Sequence, residues 1–164
     1  PQLLDRFGLC VDIEGIHDAD TRVEVIRRRQ KYDDTPEEFI RFYESQEQEL
    51  RDRIARAREI LPDVSISDEM LKMIAQVCID MGVDGHRADI TMMKAAATIA
   101  AYNGRNSVDA DDIREAATLV LPHRMRRRPF SEQQMDRKRM EQSIQKFQGQ
   151  TEVSTGTHQH TPIH

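Results

Sequence analysis

Two cysteines, no tryptophan and 5% aromatic residues are what this 164-residue chain has least of. Cys10 and Cys78 stand far apart, each among apolar neighbours, which excludes a disulfide framework or a zinc-knuckle spacing and reads as two buried thiols in a reducing cytoplasm. No apolar run approaches the roughly 20 residues of a membrane span, and the first residues lack the basic-then-apolar order of a signal peptide. The expectation is a cytoplasmic protein with no membrane contact. A formal net charge of -5 denies the dominant positive field that a general nucleic-acid or anionic-membrane binder needs. Catalytic signatures are missing as well: there is no G-x-x-x-x-G-K-[ST] loop, no G-x-G-x-x-G after a strand, no H-E-x-x-H and no G-x-S-x-G. Carboxylates are plentiful but scattered over helix faces, so no acid/base pair stands out.

What remains is charge, at 32% of the residues, and aliphatic side chains, with a mean hydropathy of -0.70. Helices follow from that mix. Residues 8–13, GLCVDI, form the one stretch with strand character, after what reads as a last helical turn over residues 1–5. A single strand needs a partner, so residues 1–14 read as the end of a sheet whose other strands this chain does not carry. Asp18 or Asp20 can cap a helix running to about Tyr32, with Val23, Ile26 and Gln30 on one side. Thr35-Pro36-Glu37-Glu38 is a strong start: a threonine cap, proline at the first helical position and acids beside the positive dipole end. That helix reaches Leu61, where Pro62 ends it, along the apolar seam Leu50, Ile54, Ala57, Leu61.

Ser67 opens a helix whose apolar stripe reads as Leu71, Ile74, Ala75, Cys78 and Ile79, with Gly82 as its stop. An alanine-rich helix follows over about 87–102, then an acid-capped helix from residues 107–112 to Leu121 or Arg124, with the basic run HRMRRR at 123–128 behind it. That run either complements the helix dipole or serves an anion or partner site. Pro129 interrupts, and Ser131-Glu132 begins a last helix carrying Met135, Met140, Ile144 and Phe147. From Gly149 the composition is too polar to order itself. His158, His160 and His164 in that tail could bind a metal weakly or be solvated. The apolar stripes, Met92 and Met93 included, read as core.

Two arginines stand out by context. Arg6 sits at a helix-to-strand junction, where its side chain can point away from the domain body. Arg87, in DGHRADIT, falls in the first turn of a helix, where a cation opposes the macrodipole. A nearby anion would explain it, since the same helix start offers open backbone N–H groups. A salt bridge to Asp84 or Asp89 explains it equally.

The segments PQLLDRFGLCVDI, DTRVEVIRRR, GHRADITMMKAAATIAAYNGR and VDADDIREAATLVLPHRMRRRPF resemble, in order and spacing, the C-terminal half of the AAA+ ATPase subunit of magnesium chelatase. The similarity covers about residues 1–130 and extends loosely through the last helix. It implies that Arg6, in LLDRFG, is an arginine finger reaching in trans to a nucleotide on the neighbouring subunit. It also implies that Arg87, in GHRADIT, is the sensor 2 arginine near the γ-phosphate. His86 and Ala88 depart from the family's usual small or apolar residue and glycine, and both departures leave the arginine in place. The implied fold is mainly α, a helical bundle forming an AAA+ lid, preceded by one strand from the end of an α/β nucleotide-binding core. The implied organisation is 1–34 core end, 35–62 long insert helix, 63–148 lid with C-terminal helix and 149–164 disordered tail. The implied cofactors are ATP and Mg²⁺, bound by the full-length protein. The implied partners are a homo-oligomeric ring of this subunit, a second AAA+-like chelatase subunit and a large porphyrin-binding subunit, acting together to insert Mg²⁺ into protoporphyrin IX. No metal ligand is assigned in this chain. Without the phosphate-loop segments the chain is expected not to hydrolyse ATP alone. Two alternatives stay open: the ATPase of a cobalt chelatase or a MoxR-like chaperone, and a non-enzymatic helical interaction module.

Overall fold

A computed structural model describes residues 6–83, 85–125 and 133–155, with side chains of the last stretch described over 137–149. Among the described residues six α-helices follow in order: α1 (Ala19–Asp34), α2 (Pro36–Ile60), α3 (Asp68–Asp80), α4 (Arg87–Tyr102), α5 (Ala110–Val120) and α6 (Gln133–Thr155). Several sequence features lie outside the described residues: the first turn over 1–5, Asp84, the arginines at 126–128, Pro129, Ser131-Glu132, Met135's side chain and the tail histidines.

Local chemistry sets most boundaries. Asp18 caps α1 by accepting from the Thr21 amide at 2.8 Å. Thr35 does not cap α2 with its side chain: the hydroxyl donates to the Lys31 carbonyl at 3.3 Å. It closes α1 instead, because α1 runs to Asp34 and its last carbonyls lack helical donors. Pro36 then opens α2, whose 25 residues span about 37 Å before the 3-10 turn Leu61–Asp63. Ser67 caps α3 through the Met70 amide at 3.2 Å. Asp109 and Asp112 cap α5 reciprocally, and buried Asp112 also accepts both terminal nitrogens of Arg105.

The core belongs to α3, α4, α5 and α6. Met73, Ile74, Val77 and Cys78 from α3 meet Ala88, Met92, Ala96 and Ala100 from α4, Ile113, Ala116, Ala117 and Val120 from α5, and Met140 and Ile144 from α6. Alanines on both α4 and α5 let those two helices pack most extensively. The buried stripe of α3 is not the one its sequence suggests. Ile74 and Cys78 are shared, but Leu71 is 40% and Ile79 69% exposed, while Met73 and Val77 are fully buried. Both sets are helically spaced, and position in the bundle selects between them. α6 docks through Arg139, which donates to the Asp80 carbonyl at 2.8 Å, and Ser143, which donates to the Asp80 carboxylate at 2.6 Å. Its helical backbone continues past Gly149 to Thr155.

No strand is present among the described residues, and residues 8–13 form no ladder. The physical reason is the one the sequence supplies: among the described residues no second strand is there to pair with them. The one β contact among the described residues is a parallel bridge between Ser65 and Ser107, which ties the α2–α3 and α4–α5 connections together. Cys10 is half-buried rather than buried. No described helix is long and apolar enough to cross a membrane.

Candidate functional site

The start of α4 is exposed at Gly85, His86 and Arg87. Gly82 and Gly85 take φ of 69° and 82°, conformations that favour glycine, and bring the chain round from α3. His86 occupies the cap position without a capping side-chain hydrogen bond, and Arg87 is the first residue of the helix and exposed. Within the first turn, Asp89 receives His86 Nδ1 at 3.4 Å. Thr91 steadies the turn by donating its hydroxyl to the Arg87 carbonyl at 2.7 Å.

Behind this turn lies Cys78. Burial pushes its thiol pKa up, and a hydrogen bond to Asp89 adds to the effect. The thiol stays protonated and packs 3.5 Å from the Met92 sulfur. Cys78 is core, with no nucleophilic role.

The segment bearing Arg6 runs across the same end of the bundle. Arg6 is exposed, and two residues on, a side-chain carbon placed on Gly8 would lie 3.7 Å from the Thr91 methyl. Thus the chain two residues beyond Arg6 passes close to the Thr91 side chain, one turn along α4 from Arg87. Four hydrogen bonds fix it. The Phe7 carbonyl accepts from His123 Nε2 at 2.9 Å and from Arg124 Nη2 at 2.8 Å. The Gly8 carbonyl accepts from Arg124 Nη1 at 2.9 Å, and the Cys10 amide donates to the Leu119 carbonyl at 2.8 Å. Arg124 Nη1 also donates to the Val120 carbonyl at 2.7 Å, closing the C-terminus of α5. A carbonyl oxygen can only accept, so His123 carries its proton on Nε2.

The structure therefore brings the segment that follows Arg6 to the end of the bundle where Arg87 begins α4. His123 and Arg124, which sequence reasoning took only as part of a basic run, are what hold the Arg6 segment there. Their signal was position: a basic pair directly after the last apolar residues of α5, where a cation has carbonyls to meet. Among the described residues no group of three or more His, Cys, Asp or Glu side chains could hold a metal ion.

Comparison with known proteins gives this arrangement a class. A family model described as the AAA lid domain matches residues 71–143, which run from α3 into α6. A solved chain from Cytophaga hutchinsonii, a candidate ATPase by its description, superposes with a TM-score of 0.57 over 90% of this chain and 47% of its own, at 18% identity, and bears on the fold alone. The bundle is the helical lid of an AAA ATPase. The relatives are more particular. The chain is 49% identical over 150 residues to the magnesium-chelatase subunit ChlI homolog of Methanocaldococcus jannaschii, a match covering 92% of this chain and 41% of that protein. It is 45% identical over 130 residues to magnesium-chelatase subunit ChlI of Trieres chinensis, covering 79% and 37%. The chain belongs to the magnesium-chelatase AAA+ subunit family. It spans less than half the length of the curated relatives it matches.

Proposed function

We propose that this chain is the part of a magnesium-chelatase ATPase subunit that presents two arginines to ATP: Arg6 as the finger acting in trans on a neighbouring subunit's nucleotide, and Arg87 as the sensor 2 residue near the γ-phosphate. The observation that carries the reading is the pair itself, two exposed guanidinium groups on adjoining segments, one of them at a helix start without a side-chain cap. The donor chemistry fits a triphosphate. Open N–H groups at a helix N-terminus and a forked, permanently charged guanidinium both bind phosphate oxygens.

In phosphoryl transfer to water, negative charge spreads over the γ-phosphate oxygens, and an arginine delivered from outside contributes about 10³ to 10⁵ in rate. Arg6 would supply that charge across a subunit boundary, so hydrolysis occurs only where two copies meet. Arg87 would read the presence of the γ-phosphate and pass it to the lid through α4. ATP and Mg²⁺ are taken as substrates of the full-length ring. With the second AAA+-like subunit and the large porphyrin-binding subunit, the ring would drive insertion of Mg²⁺ into protoporphyrin IX.

Mixed rings test the reading. Full-length Arg6→Ala protein is expected to lose at least about 10³-fold in ATP hydrolysis. Mixed with copies disabled in their own phosphate loop, it should regain activity, because each copy then supplies what the other lacks. Full activity in Arg6→Ala alone, or no recovery on mixing, would sink the trans assignment.

A further inference from the structure

We propose that Arg124, assisted by His123, is the positioning residue for Arg6, holding the finger segment against the lid so that it moves with α4 and α5 as one body. This rests on the reading of Arg6 given above. A finger must place its guanidinium to within about 1 Å, since a misplacement of that size costs about 100-fold in rate. Arg6 itself has 3-10 conformation, but residues 7–18 after it form neither helix nor strand. Left alone, such a segment would sample many positions. Instead its neighbouring carbonyl, that of Phe7, is held by two donors at 2.9 and 2.8 Å, and the next, that of Gly8, by a third at 2.9 Å.

The Arg124 guanidinium is well suited to this work. One nitrogen bridges the Gly8 carbonyl and the last-turn carbonyl of Val120, at 2.9 and 2.7 Å, while the other takes Phe7. A planar fork does this from one side chain, and a lysine cannot reach all three acceptors in that geometry. The backbone carbonyls of residues 7 and 8 are thereby tied to the end of α5, which is itself packed along α4. Arg6 and Arg87 ride on the same rigid block, and a displacement of the lid moves both.

ATP hydrolysis by the full-length protein tests this, with thermal unfolding as the control for folding. Arg124→Ala should lower kcat about ten- to hundredfold while KM for ATP stays within about twofold, the mark of an interaction used only in the transition state. Arg124→Lys should recover part of the loss. His123→Gln, which keeps a donor near the Nε2 position, should lose less than Arg124→Ala. The Arg6→Ala/Arg124→Ala pair should be no slower than Arg6→Ala alone, because Arg124 acts through Arg6.

Additive losses in the pair, or wild-type kcat in Arg124→Ala, overturn the positioning role while leaving the finger reading standing. Wild-type kcat in Arg6→Ala overturns the finger reading and the role together, so the two failures are told apart. Should Arg124→Ala fail to fold, wild-type kcat in both Arg124→Lys and His123→Gln overturns the role.

Discussion

The α3–α6 bundle and the α1–α2 arm are both helical, yet they are held by different physics. All the buried side chains of the described residues lie in the bundle or the loops that join its helices, and neither α1 nor α2 buries a single one. The arm is kept together by an aromatic cluster at its bend, Tyr32 edge-on to Phe39 at 5.6 Å and Phe39 beside Tyr43 at 4.9 Å, and by exposed ion pairs such as Arg28 with Glu24. Such exposed pairs are screened by solvent and contribute little. Its attachment to the bundle runs through Arg53, which stacks 3.9 Å above the Tyr102 ring and donates to the Tyr102 carbonyl and the Asn103 side chain, both at 3.2 Å. The bundle is thus a folding unit, and the arm is a lever fastened at the end of α4 opposite Arg87.

The comparison breaks first if core substitutions do not separate the two regions. Ile113 is fully buried and Ile26 is 64% exposed, so Ile113→Ala should destabilise the chain by about 3 kcal/mol and Ile26→Ala by less than about 0.5 kcal/mol. Urea unfolding of the 164-residue chain followed by circular dichroism measures both, and equal losses would mean the arm has a core of its own. Arg53→Ala should have an intermediate effect, about 1 kcal/mol. It should fall on the attachment rather than on either region. Hydrogen exchange should quicken along α2 near Arg53 and at the end of α4, with the α3–α5 core unchanged, and uniform quickening would show that the arm and bundle unfold together.

Helix boundaries were legible because they depend on neighbours in sequence. Asp18, Ser67 and Asp109 cap, Pro36 starts, and Pro62 and Gly82 stop, each within a turn of the helix it governs. Thr35 misled because a threonine between two helices can serve either end, and here the open carbonyl of Lys31 took its hydroxyl. The buried face of α3 was not legible: Leu71 with Ile79 and Met73 with Val77 are equally apolar and equally periodic, and only the placement of α4 and α6 decides. The candidate site divides the same way. Arg6 and Arg87 could be picked out by local context and by their motifs. The reach of Arg124 to the carbonyls of Phe7 and Gly8, and of Arg53 to Tyr102, joins residues far apart in the chain. No pattern of spacing encodes those contacts, because they exist only after the helices have packed.

The smallest expected effect is confined to the first turn of α1, where a single aspartate does the capping. Hydrogen bonds from the Thr21 side chain and then its amide hold Asp18 below the usual aspartate pKa. A carboxylate depressed in the folded state stabilises the fold above its unfolded pKa, and that contribution disappears as pH falls through the lower, folded value. Acidification through and below the ordinary aspartate range should therefore release the Thr21 amide to exchange, while amides in the middle of α4, where Met92, Ala96 and Ala100 pack against apolar neighbours, stay protected. Asp18→Asn retains an acceptor for Thr21 and should remove the pH dependence while keeping the first turn; Asp18→Ala should fray it at every pH. Amide exchange followed by NMR across that range checks all three. Loss of protection in the middle of α4 alongside Thr21 would show that the arm and the bundle share one cooperative transition.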